Sequence, residues 1–65
     1  MKIKITYSHS EGKPEATAAL LDEKSEEIRW TVSIEGKTYA EAKEYAIEAA
    51  RMAFDKMPPD EIVEL

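Results

Sequence analysis

Glu41, Glu44, Glu48 and Asp55 follow one another at spacings of three, four and seven residues. On a helix that spacing lines carboxylates along one face. A fixed row of negative charge can occupy a channel built for a phosphate backbone, or meet a basic protein surface. Arg51 falls in the same sector and interrupts the row. An ordinary solvated face would look the same, so both readings stand at this point.

The other candidate groups assemble less. His9 ends a polar stretch beside Ser8, Ser10 and Glu11. A hydrolytic triad needs a nucleophile, a base and an orienting acid brought together, and nothing in the sequence positions them, so His9 reads as a surface histidine. Asp22, Glu23, Glu26 and Glu27 lack the alternating ligands and central glycine of a calcium loop and read as a solvated turn. There is no cysteine, which removes thiolate zinc, disulfides and cysteine nucleophiles. No glycine loop that could cradle phosphate is present, and paired carboxylates for sugar chemistry would need a cleft that a small domain hardly offers. The expectation is a protein that is not an enzyme and uses no cofactor or metal.

Sixty-five residues make one domain, 1–65, with a modest core. Hydrophobic content of 43% beside 35% charged residues is that of a folded chain. The net charge of −5 comes from fourteen acids against nine scattered bases. Binding nucleic acid by neutralising phosphates requires clustered Lys and Arg. Direct nucleic-acid binding is therefore not expected, nor is binding to an anionic membrane. No apolar run approaches the length of a membrane span, and MKIKITY alternates instead of forming the apolar block of a signal peptide. The sequence points to a cytoplasmic protein.

The carboxylate row lies within Gly36–Met57, the one long run with a start signal, a helical period and a stop. Thr38 and Glu41 form the S/T-x-x-E capping pattern. Gly36 is read as the residue that lets the chain turn sharply out of the preceding strand. Pro58 and Pro59 end the run, so a helix is predicted over 38–57. Upstream, Ile3, Ile5 and Tyr7 alternate with polar residues over 1–9, and Ile28, Trp30, Val32 and Ile34 do so over 28–35. Both read as strands with one buried face, and Trp30 as a core residue under the helix. A turn over Ser10–Pro14 follows the first strand.

The stretch PEATAALLDEKSEE between the two strands carries mixed cues. Pro14 and the Ala/Leu content favour helix, but no apolar stripe continues past Leu21 and Lys13 is a poor cap. A strand over 15–21 with a turn at Asp22–Glu26 is preferred. The predicted fold is α+β: a small three-stranded antiparallel sheet in β-β-β-α order, one long helix on one face, and a short C-terminal tail, PPDEIVEL. That tail reads as one helical turn opening at Pro59 or a short strand over Ile62–Leu65, in either case able to cover the helix.

The helix is apolar over a wider arc than the roughly 100° that one sheet covers. The Ala42, Ala46, Ala49, Ala53 row suits close approach to the sheet. The Ile47, Ala50, Phe54 row lies to one side and needs a second partner. Ile47 and Phe54, with Glu41, Glu44, Glu48 and Asp55, are the candidate partner-binding residues.

Gly36, Thr38, Glu41, Ala42 and Ala46 match the G-x-T-x-x-E-A-x-x-x-A segment at the sheet–helix junction of HicB-type antitoxins, which the stretch GKTYAEAKEYAIEAA resembles. That resemblance implies a small sheet followed by a helix, neutralising a small RNA-cleaving toxin by direct contact. The same segment is similar to the last helix of double-stranded-RNA-binding domains, but Tyr39 and Ala40 stand where their phosphate-contacting lysine pair belongs, and only Lys43 is kept. The leading expectation is a small non-enzymatic module that acts as an inhibitor or antitoxin by docking on a protein partner, such as a basic nuclease or nucleoprotein. The alternative is a phage-type, anti-CRISPR-like acidic mimic of nucleic acid that uses the carboxylate row. A homodimer through the helix flank or a sheet edge is compatible with either.

Overall fold

The computed structural model describes residues 1–58 and 61–64. Three antiparallel strands, β1 (Lys2–Ser10), β2 (Lys13–Leu21) and β3 (Ile28–Glu35), form a sheet in the order β1-β2-β3. Helix α1 (Tyr39–Lys56) follows and packs on one face. The fold is α+β with a small open sheet, as the alternation and the capping signal predict. The disputed stretch is strand, and it is the central one.

Local chemistry explains the connections. Glu11 and Gly12 both have positive φ, 52° and 77°, which makes a two-residue type I′ hairpin. The turn is thus tighter than the predicted Ser10–Pro14. Pro14 enters the central strand, where proline is normally excluded. Its carbonyl accepts the Gly36 N–H at 3.0 Å, so its missing donor also falls on the β3 side, beyond the end of β3, and the β1 ladder loses nothing. Between β2 and β3, one Asp22 carboxylate oxygen accepts the N–H groups of Lys24 (2.9 Å) and Ser25 (3.1 Å). Asp22 and Glu26 close the turn through their backbones.

Thr38 caps the helix, its hydroxyl accepting the Glu41 N–H at 3.1 Å. Gly36 serves close approach: a Cβ there would lie 2.7 Å from the backbone nitrogen of Ala42. Lacking a side chain, it lets the helix start tight against the sheet.

The core is built mostly from small side chains. Ala16, Ala18 and Leu20 of β2 meet Ala42, Ala46 and Ala50, all essentially inaccessible, with Ile5, Trp30, Val32, Ala53 and Met57 packed around them. The sheet-facing row of α1 is therefore Ala42, Ala46, Ala50, and Ala49 is only half-buried. Relative to the predicted row the helix is turned by roughly 30°, toward Leu20 and Ile5. Trp30 is half-buried beside the core and not at its centre. The register shifts between Leu20 and Leu21, and Ile28 is left 66% exposed at the margin.

The described part of the tail, residues 61–64, does not cover the helix. Residues 61–64 form neither helix nor strand, and Ile62 and Val63 are exposed. The predicted helical turn at Pro59 and the contact of Leu65 lie outside the described residues. Among the described residues no helix is long and apolar enough to cross a membrane.

Candidate functional site

Helix α1 lies over β2 and β3 and barely touches β1. Register puts Ile3, Leu20 and Trp30 in one row, Ile5, Ala18 and Val32 in the next, and Tyr7, Ala16 and Ile34 in the third, all on the helix side of the sheet. The β1 ends of the first and third rows are under-covered, with Ile3 38% and Tyr7 52% exposed, whereas Ile5 between them packs against the core. The gap between β1 and the helix therefore opens on either side of Ile5, as a groove at the Ile3 end and an aromatic contact at the Tyr7 end. At one end the rings of Tyr7 and Tyr39 meet edge to face, with centroids 5.7 Å apart. At the other, Met1, Ile3, Leu20, Arg51, Phe54 and Asp55 line a hollow.

Five of the six candidate residues sort onto this side of the helix. Phe54, 48% exposed, stands over the hollow with Asp55. Ile47, half-buried, lines an adjoining shallow dip with Glu44, Glu48 and Arg51. Arg51 belongs to both hollows, which makes the apolar groove and the carboxylate row one continuous surface. Ala50, predicted beside Ile47 and Phe54, points into the core instead.

Glu41 stands apart. It borders a concavity at the strand–helix junction with Gly12, Lys13, Pro14, Glu35, Gly36 and Lys37. Its charge, and a hydrogen bond from the Tyr45 hydroxyl, push the Tyr45 phenol above its usual value, with Glu44 and Glu48 adding to the effect. Glu41 and Asp55 are separated by fourteen residues, about 21 Å of helix. The row is thus an extended stripe and not a cluster that could share a proton.

Sequence reasoning missed what β1 contributes: Met1, Ile3, Tyr7 and the aromatic partner Tyr39. Alternation marks Ile3 and Tyr7 as facing the helix. It does not tell that the helix would sit to the other side of them. Met1 is also held by its ammonium, 3.0 Å from a Glu23 carboxylate oxygen. His9 is exposed, and among the described residues no group of three or more His, Asp or Glu is placed to hold a metal ion. Comparison with known proteins finds no family model, no curated protein and no solved structure that matches this chain.

Proposed function

We propose that this protein is a non-enzymatic binding module that acts as an inhibitor, in the manner of an antitoxin, by docking the groove between β1 and α1 on a protein partner. The observation that carries this reading is the groove itself: Ile3 and Phe54 exposed in one strip beside half-buried Ile47, with Glu44, Glu48 and Asp55 along its margin. An apolar centre with a charged rim is the anatomy of a protein interface. The acidic rim favours a partner that offers an apolar anchor ringed by Lys and Arg, as a nuclease or other nucleic-acid-binding protein does. The mechanism is occlusion: the module covers a basic surface, and no cofactor takes part. Arg51 breaks the stripe between Glu48 and Asp55, which favours docking through the groove over imitation of a phosphate backbone.

The test is affinity capture from the cells that carry the protein, with washes at low and high salt. A partner retained at high salt by the wild type and lost by Ile47→Asp or Phe54→Asp, each shown folded by circular dichroism, supports groove docking. Exposed charges are screened at high salt. A partner held only at low salt, and lost on reversal of Glu41, Glu44 and Glu48 to lysine, would replace this reading with the acidic mimic. A partner that survives every one of these changes would sink both.

A further inference from the structure

β1 offers more than a wall of the groove. It stands at one edge of the sheet, is nine residues long, and pairs with β2 from Lys2 opposite Leu21 to Ser10 opposite Lys13 without a register shift. Of the devices that usually protect an edge, shortness, proline, bulges and charge, β1 has only the charge of Lys2 and Lys4. We propose that β1 accepts an extended segment of a partner protein as a fourth, antiparallel strand, and that this segment alternates apolar and acidic residues.

The backbone fixes which residues would pair. The Pro14 carbonyl accepts from Gly36 on the β3 side, so Pro14 does not bond to His9, which lies opposite it on β1. Partners in an antiparallel ladder alternate between bonded and non-bonded. Tyr7, Ile5 and Ile3 therefore also turn their N–H and C=O groups outward, while Thr6, Lys4 and Lys2 bond to β2. A strand laid about 4.8 Å outside β1 meets an uninterrupted row of donors and acceptors. Strand addition to such an edge draws affinity from the main chain and specificity from alternate side chains.

The two faces of β1 set the alternation. On the helix side, side chains of the added strand would lie beside Ile3, Ile5 and Tyr7. Ile3 and Tyr7 are the members of that row left exposed, so apolar residues there bury surface that the fold leaves in water. Asp55 lines the hollow at the Ile3 end and disfavours an acid on this side.

On the open face the intervening residues would lie beside Lys2, Lys4 and Thr6. Both lysines are exposed, β1 carries no acid, and among the described residues neither lysine takes part in an ion pair. In a chain of net charge −5 they form a local positive strip. Unlike charges directly opposite stabilise a strand pair and like charges oppose it, so the lysines exclude a basic segment and select an acidic one. The inference goes beyond the inhibitor reading, which concerns the groove and its margin on α1, and holds for a partner of any activity.

Amide hydrogen exchange of the full chain, followed by NMR with an end-blocked Val-Glu-Val-Glu-Val-Glu peptide as probe, tests this. The peptide should slow exchange at Ile3, Ile5 and Tyr7, while Lys4 and Thr6, already bonded to β2, stay as they were. Its Val-Lys counterpart should bind roughly tenfold more weakly. Lys2→Glu with Lys4→Glu should reverse that preference. N-methylation of the valines leaves the protein untouched, removes the donors that face β1, and should abolish binding, which separates strand pairing from ionic attraction alone. Glu44→Lys with Glu48→Lys alters the acidic margin of the groove and should not weaken the peptide, so a failure here is distinct from a failure of groove docking. An acidic peptide that leaves the three amides unchanged would overturn the proposal. So would equal binding of the two peptides, or an N-methylated peptide that still binds. Slow exchange at Ile3, Ile5 and Tyr7 in the protein alone would also overturn it, since a second copy or the chain's own tail would then hold the edge.

Discussion

The two sides of the helix solve the same geometric problem differently. One helix cannot cover three strands, and α1 gives its coverage to β2 and β3. On the β3 side the helix packs on the strand, whose outer edge has no neighbour in the sheet. On the β1 side the strand stands free of the helix, and the gap between them is a groove with apolar walls and an acidic rim. The difference teaches that surplus apolar surface takes two forms in so small a domain. An open strand edge offers backbone donors and acceptors, whereas the hollow beside β1 offers apolar side chains.

Substitutions within the sheet probe that asymmetry most strongly. Val32→Ala, under the helix, should cost about 1–2 kcal/mol, and Ile3→Ala, beside the groove, less than about 1 kcal/mol although it removes more carbon. Urea denaturation at one fixed protein concentration measures both. Equal losses would mean that β1 is as well covered as β3, and the comparison would fall.

A smaller effect of opposite sign is expected at the β1–β2 hairpin. Glu11 holds φ of 52° without being glycine, a conformation that asparagine adopts more readily. Glu11→Asn should therefore stabilise by about 0.5–1 kcal/mol, read as a raised melting temperature. A melting temperature that falls or stays fixed would show that the turn gains nothing from a residue suited to positive φ.

The smallest effect concerns pH. Backbone donors from Ser25 and Lys24, with Arg29 nearby, hold the Asp22 carboxyl below its usual value. The Arg29 guanidinium lies 3.7 Å from its second oxygen. Because the folded value lies below the unfolded one, the stabilisation is present above the unfolded value and fades as pH falls through the folded one. Asp22→Asn should thus lose a small part of its stability advantage at neutral pH and show a shallower acid transition. An unchanged acid profile would remove Asp22 as an anchor of the β2–β3 turn, which adjoins both sides through Arg29 and the Met1–Glu23 pair.

Most of the fold was legible because its signals are local. Alternation gave β1 and β3, and the Thr38–Glu41 cap with Pro58 gave the helix. The central strand was harder to read. Its apolar residues Ala16, Ala18, Ala19 and Leu20 are all buried, so it shows little of the alternation that marks a half-buried strand. The site was legible in part. Ile47, Phe54, Glu44, Glu48 and Asp55 do share a flank, since the helical period fixes their angles wherever the helix lies. Ala50 was misplaced because the wide apolar arc of α1 leaves its rotation about its own axis undetermined.

What the sequence determined by itself is therefore β1, β3, the helix and the angular order of side chains around it, for these follow from backbone periodicity and capping within a few residues, whereas the central strand was only preferred over a helix. Only the tertiary structure decided which strand the helix would leave uncovered. That choice rests on alanines of β2 and α1 meeting at close range beside Gly36, a balance of contacts between residues far apart in the chain. It separates the groove beside β1 from the helix-covered face of β3.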